Sequence, residues 1–125
     1  FFTECPSICP AMQGRMAQLY HQFREHEEVR IASISVDPDN DSVERLYEYA
    51  KTFKADLSRW HFLRGDIEEV RSIARVGFRL NPGDVPDAHT TRVVLVDKDF
   101  RIRGYFRGTE TESMDELSRA LKSLL

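Results

Sequence analysis

Apolar residues recur along this chain at two periods, and the switches between them mark out its elements. Phe1-Phe2-Thr3 reads as the end of a buried strand. Over residues 10–26, Met12, Met16, Leu19, Tyr20 and Phe23 fall at spacings of three and four, the repeat of one helix face. Val29 to Val36 alternates and then becomes mostly apolar, as a central strand does. Asp41 followed by Glu44 predicts a capping box for a helix carrying Val43, Leu46, Tyr47, Ala50 and Phe53. Trp60-His61-Phe62-Leu63 is a short apolar run of strand type, and Asp66 with Glu69 opens a helix bearing Ile67, Val70, Ile73 and Ala74. Val76 to Leu80 suits either an extension of that helix or a short strand. Asn81 to Ala88 is a loop by composition. Arg92–Val96 and Arg101–Phe106 flank Asp97-Lys98-Asp99 and predict a hairpin. A last helix follows, with Ser113 and Glu116 as its capping box and Met114, Leu117, Ala120, Leu121 and Leu124 on its buried face.

Strands that alternate with helices and then close in a hairpin and helix imply an α/β fold, a central mixed sheet flanked by helices. At 125 residues the chain is read as a single domain, 1–125, large enough to bury a real core. Its hydrophobic share of 41% and charged share of 31% are those of an ordinary globular domain. A net charge of −3 leaves no basic excess to neutralise phosphates, which excludes nucleic acid as the main partner. The sequence has neither an apolar run of membrane-spanning length nor a signal peptide. Because it starts at Phe1, inside an apparent strand and without an initiator Met, we expect a trimmed piece. Upstream strands and any anchor would then lie before Phe1.

The chemistry is concentrated in Phe1-Phe2-Thr3-Glu4-Cys5-Pro6-Ser7-Ile8-Cys9-Pro10. It holds both cysteines of the chain, four residues apart, each followed by proline. Pro10 suits the first position of the helix, where a missing N–H costs nothing. Cys9 then falls at a helix N-terminus, where free N–H groups and the dipole favour a thiolate. Coiling from Cys5 would put both sulfurs on one side of a turn, able to close a disulfide or to share a soft metal ion. Two cysteines are too few for a disulfide scaffold or a four-Cys zinc site. A cysteine pair between the first strand and the first helix points to a thioredoxin-like fold, although the usual C-x-x-C spacer is one residue shorter.

Other candidates read as structure. Met12 and Met16, possible thioether ligands, sit at core spacing. His21 and His26 are five apart, so on a helix they diverge and are expected in solvent. Asp37, Asp39 and Asp41, with Glu48, imitate a calcium loop, but Ser42 stands where that loop needs glycine. Asp37 reads first as the turn residue that ends the strand. His89 alone is an ordinary loop histidine just before a strand.

Taken together, Phe2-Thr3-x-Cys5-Pro6-x-x-Cys9-Pro10, then Ser33-Ile34-Ser35-Val36-Asp37-Pro38 with Asp41, then His89-Thr90-Thr91-Arg92, resemble the SCO/SenC/PrrC family of thioredoxin-fold copper proteins. The resemblance covers essentially the whole chain. It implies that Cys5, Cys9 and His89 bind one copper ion, Cu(I) or Cu(II). It also implies help in metallating the dinuclear copper (CuA) site of cytochrome c oxidase. The expected partners are the copper-bearing oxidase subunit and a thioredoxin-like reductant that keeps the redox-active Cys5–Cys9 pair reduced. The protein is expected to be a monomer, periplasmic or membrane-anchored facing the periplasm, with the anchor outside this chain. The donor set agrees with this, since two thiolates suit soft Cu(I) and imidazole suits either oxidation state. Many relatives place Asp directly before the histidine; here Ala88 separates Asp87 from His89. The same thiols also suit an enzyme, either a thiol–disulfide oxidoreductase or a peroxidase-like protein, and they suit a redox or copper sensor. Among these readings, copper binding requires His89 and disulfide exchange does not.

Overall fold

The computed structural model describes residues 1–80 and 92–125. The chain divides into two compact units, Phe1–Thr90 and Thr91–Leu125. In the first, helix α1 (Ile8–Gln22), strand β1 (Ile31–Ile34), helix α2 (Val43–Thr52), strand β2 (Trp60–Leu63) and helix α3 (Ile67–Ser72) follow in the order predicted from periodicity. The segment left open beyond α3 stays helical, as one wide π turn at Ile73–Gly77. β1 and β2 run parallel, Ile31 opposite Trp60 and Ile34 opposite Leu63. Parallel neighbours need a long crossover, and α2 supplies it.

No strand forms at residues 1–3, yet Phe1 lies alongside β1. Its N–H donates to the Ile34 carbonyl at 3.2 Å, and its own carbonyl accepts from the Val36 N–H at 2.8 Å. That is one rung of a parallel ladder, too short to count as a strand.

Three helix starts differ from expectation. α1 opens at Ile8, with Ser7 as N-cap, so Pro10 is the third helical residue rather than the first. The substitution is harmless because the third N–H of a helix also lacks an intrahelical partner. The cap of α2 is Ser42, whose hydroxyl accepts the Arg45 N–H at 3.1 Å, which leaves Asp41 outside the helix. α4 (Thr111–Ser123) has Glu110 as N-cap, and Ser113 Oγ instead takes the Arg107 N–H at 2.7 Å. Asp66 caps α3 as predicted, accepting from the Glu68 N–H.

α1 also ends earlier than residue 26, at Gln22. The side chain of Arg59, on the approach to β2, is the reason. Its guanidinium donates to the carbonyls of Phe23, Arg24 and His26 at 3.0, 2.7 and 2.7 Å, and its Nε to Val29 at 3.2 Å. Carbonyls that the helix would have paired are thereby satisfied in a turn. The core of this unit gathers around Trp60, which is fully buried, with Leu19, Phe23, Ile31, Leu46 and Ala50. Leu19, Phe23, Ile31 and Leu46 each contribute roughly 1.5–3 kcal/mol by leaving water. The indole of Trp60 donates to Ser33 Oγ at 3.0 Å, and Ser33 donates to buried Gln13 Oε1 at 3.2 Å, so the polar atoms of α1, β1 and β2 are paired.

α2 buries Leu46 and Ala50, with Tyr49 and Phe53 half-buried, while Val43 and Tyr47 face outward at 67% and 50% exposure. The face is therefore 46, 49, 50 and 53, rotated from the one expected. Tyr47 instead takes the Lys51 ammonium over its ring at 4.5 Å.

In the second unit, β3 (Arg92–Val96) and β4 (Ile102–Arg107) pair antiparallel, with a bulge between Leu95 and Val96 that skips Arg103. The hairpin turn is built on Asp97, whose carboxylate accepts from the N–H groups of Asp99 and Arg101 at 2.9 and 3.0 Å. Those bonds, Arg101's first, hold its carboxyl below the usual range. α4 follows, burying Met114, Leu117 and Ser118.

Candidate thiol and metal centre

Cys5 and Cys9 come together at the start of α1. The Cys9 N–H lies 3.3 Å from Cys5 Sγ; neither cysteine is in a disulfide, and both are buried, 4% and 2% exposed. Cys5 sits two residues ahead of the N-cap, and Ser7 makes no side-chain cap bond. The sulfur of Cys5 thus occupies the place a cap oxygen would take, over the unpaired N–H groups of the first turn.

This reverses the expected order of acidity. Cys9 does lie in the first turn, but a residue inside the helix does not receive that turn's N–H groups; the residue before it does. Burial pushes the Cys5 thiol up, but the Cys9 S–H and the N–H groups of Cys9, Ser7 and Ile8 more than offset it, and Cys5 ends below its ordinary value. Burial, then the hydrogen bond it donates to Cys5, pushes Cys9 up to about 11; the Phe2 N–H pulls weakly the other way. Cys5 is therefore the acidic sulfur and Cys9 the proton holder.

The loop carrying Cys5 is pinned from behind. Asp41 is fully buried, and its carboxylate accepts from the Thr3 N–H, from Thr3 Oγ1 and from Ser35 Oγ, the last at 2.6 Å. Ser35 Oγ also takes the Asp37 N–H at 3.1 Å. With its oxygens so used, Asp41 is no calcium ligand. Asp37 accepts from Asn40 at 3.0 Å within its own turn, as the turn reading requires. Sequence reasoning gave Asp41 to the helix cap; the Ser-x-Asp spacing of its neighbours gave no sign that it turns inward to Thr3. Tyr49, half-buried with its hydroxyl buried, was likewise passed over, although its spacing from Leu46, Ala50 and Phe53 marks it as a face residue.

His89 lies outside the described residues, as do Asp87 and Ala88. Among the described residues no group of three or more His, Cys, Asp and Glu side chains is placed to hold a metal ion. The two sulfurs alone make a soft donor pair of the kind Cu(I) accepts. Met12 and Met16 are half-buried on α1, and His21 and His26 are exposed, as expected.

A parallel β-α-β unit, a hairpin with a closing helix, and a thiol pair at the start of the first helix define a thioredoxin-like protein of the paired-cysteine kind. The chain belongs to the SCO1/SenC family, whose model matches residues 1–125. A SCO1/SenC family lipoprotein from Bacillus anthracis str. Ames is 30% identical, with a TM-score of 0.84 over 98% of this chain and 76% of that one. BsSco, described as a Sco-family cytochrome c oxidase assembly protein with a disulfide switch, is also 30% identical, with a TM-score of 0.82 over 99% of this chain and 75% of its own. These Sco structures share the thioredoxin-like fold. A Stutzerimonas stutzeri protein provisionally named as copper-binding is 28% identical over 99% of this chain and 62% of its own length. The chain spans about two thirds or less of the length of the curated relatives it matches.

Proposed function

We propose that this domain binds copper as cargo and delivers it to the dinuclear copper site of cytochrome c oxidase, with Cys5, Cys9 and His89 as ligands. The observation that carries this reading is the pairing of two buried thiols at the α1 N-terminus, with Cys9 N–H 3.3 Å from Cys5 Sγ, in a chain of the SCO1/SenC family. Two sulfurs bind Cu(I) tightly, a histidine extends the site to Cu(II), and a three-ligand site keeps a position open for transfer. The description of BsSco as an oxidase assembly protein supports the recipient, the copper-bearing oxidase subunit. Residues 1–125 act as one domain and as a monomer, and a thioredoxin-like partner supplies the reduced thiols. A lipoprotein among the similar structures supports a location at the outer face of the bacterial membrane. No helix among the described residues is long and apolar enough to cross a membrane.

Copper titration of the fully reduced protein tests the proposal, with ligands identified by absorption and X-ray absorption spectroscopy. Sulfur and imidazole scattering from one tightly held ion per chain is expected. Absence of sulfur ligation would overturn it. One observation favours a second reading. The split between an acidic Cys5 and a proton-holding Cys9 suits a thiol–disulfide oxidoreductase, with Cys5 attacking and Cys9 resolving. Retention of full disulfide-reductase turnover in a protein that fails to bind copper would give that reading the lead.

A further inference from the structure

The β3–β4 hairpin turns on Asp97, and that turn fixes the conformation of its tip. The Asp97 carboxylate holds the N–H groups of Asp99 and Arg101, and the Asp97 carbonyl accepts the Phe100 N–H at 3.0 Å. Closing these bonds leaves Phe100 at φ 62, in the left-handed region that favours glycine. The side chain does not fold back onto the strands. Phe100 is 91% exposed, more than any other large apolar residue described. A bulky residue there strains the backbone and leaves an aromatic ring in water, so neither effect stabilises the folded domain.

Cations flank the ring. Lys98 and Arg101 are exposed and pair with no carboxylate among the described residues. Arg103, by contrast, pairs with Asp97 at 3.2 Å, and Arg107 with Glu110 at 3.2 Å. Asp99 is the exposed carboxylate of the turn. Residues 92–107 hold five Lys and Arg against two Asp, in a chain whose net charge is −3. Positive charge is thus concentrated on the hairpin, and the rest of the chain is acidic. A lone ring between cations suits a surface that is anionic outside and apolar just beneath. Phosphate headgroups take the ammonium and the guanidinium, and the ring enters the boundary with the acyl chains. An acidic protein face would use the cations but leave the ring in water. An anionic bilayer also repels the acidic remainder, so the hairpin is the part that meets it. We infer that the hairpin tip, Lys98, Phe100 and Arg101, docks on anionic phospholipid membrane. The inference goes beyond the copper reading and needs none of it; the membrane location proposed above would only bring the tip to such a surface.

The test is cosedimentation of the protein with vesicles of equal parts phosphatidylglycerol and phosphatidylcholine, against vesicles of phosphatidylcholine alone, at low and high salt. Wild type should bind the anionic vesicles, come off them as salt rises, and ignore the neutral ones. Phe100→Gly should bind roughly fivefold more weakly, as partial burial of one ring implies. Lys98→Gln with Arg101→Gln should bind roughly thirtyfold more weakly, as two cations beside a charged surface imply. The melting temperature of Phe100→Gly should hold or rise, because glycine takes φ 62 without strain. A fall in melting temperature together with binding would assign Phe100 to the fold of the hairpin and overturn the inference. It is overturned as well by no binding to anionic vesicles, by equal binding to both vesicle types, or by full binding in Phe100→Gly. Salt-sensitive binding to polyglutamate by a protein that ignores vesicles would make an acidic protein face the partner, and it too overturns the membrane assignment.

Discussion

The backbone N–H of Cys9 is directed at the sulfur of Cys5 across 3.3 Å, and the sulfur of Cys9 gives its proton to the same atom. One helix N-terminus therefore serves one sulfur, although the chain places the other cysteine inside the turn. The consequence is an asymmetric pair: a stabilised Cys5 thiolate facing a Cys9 thiol that releases its proton only at about pH 11. A metal ion that takes both sulfurs must displace the Cys9 proton, so copper uptake should release it to solvent.

Labelling with limiting iodoacetamide at neutral pH should modify Cys5 before Cys9, mapped by peptide mass. Both thiols are buried, so absolute rates should be slow and the ratio is the quantity to read. Cys9→Ser should keep Cys5 reactive, since the backbone N–H groups remain. Preferential labelling of Cys9 would contradict the hydrogen-bond assignment.

Beside the raised Tyr49 and Tyr20 phenols, the Cys9 shift also contributes to the loss of stability in alkali. Folding raises its pKa from 9.0 to about 11, so the folded chain keeps a proton that the unfolded chain sheds. Its contribution is full below pH 9.0 and is lost as pH rises through about 11. Cys5, with its folded value depressed, contributes fully above the unfolded value and so adds no slope there. Urea midpoints of the reduced protein should fall across that window, and Cys9→Ser should flatten the fall.

How much of this could be read from sequence depends on whether the signal was local. The face of α2 is rotated from the expected one, and the expected strand at residues 1–3 is a single rung. Helix and strand periods nonetheless placed α1, β1, α2, β2 and α3, because apolar residues recur in them at spacings of two, three or four. The thiol pair was legible for the same reason, lying within five residues. What sequence reading missed involves long separations. Asp41 reaches Thr3 across 38 positions, and Arg59 reaches Phe23 across 36. A local rule offered Asp41 a role as a cap and offered Arg59 none. The acidity order failed on direction: residue spacing put Cys9 in the first turn correctly, but a side chain's position in sequence does not say where it points.

Asp41→Ala should cost about 3 kcal/mol in urea unfolding, because two Thr3 donors and the Ser35 hydroxyl lose a buried charged acceptor. It should also loosen the residues before Cys5, seen as faster labelling of that thiol. Thr3→Val should cost less, about 1 kcal/mol, since only one of those donors is removed. Equal costs for the two variants would show that Asp41 acts elsewhere.

His89→Ala should weaken Cu(II) binding by more than the roughly 10–100-fold that loss of a mere outer-shell partner brings. Two sulfurs remain, and Cu(I) can persist on them, so Cu(I) affinity should change far less. Exchange of the thiols with a disulfide reagent should be unaffected. Full Cu(II) affinity in the variant would remove His89 from the ligand set and favour the oxidoreductase reading.

A Cys5–Cys9 disulfide should gate copper loading. The sulfurs already share a hydrogen bond, so closing the bond requires little movement of the loop that Asp41 holds. Oxidation removes both thiolates together, and a disulfide offers a metal no anionic donor. The acidic Cys5 should be the attacking sulfur on an external disulfide, and Cys9 the one that resolves the mixed intermediate once it yields its proton. Attack by the Cys9 thiolate on the Cys5 sulfur of the mixed disulfide, which expels glutathione, is then favoured by proximity, so oxidised glutathione should convert the pair to the intramolecular disulfide rather than leave a stable mixed one. The measurement is copper affinity of fully reduced and fully oxidised protein, side by side under chelator competition, with thiol counts before and after. Reduced protein should bind and oxidised protein should not bind through sulfur; restoring reductant should restore loading. Equal binding by the two forms would place the copper on His89 and nearby carboxylates, and the thiol pair would then have to be assigned to exchange alone.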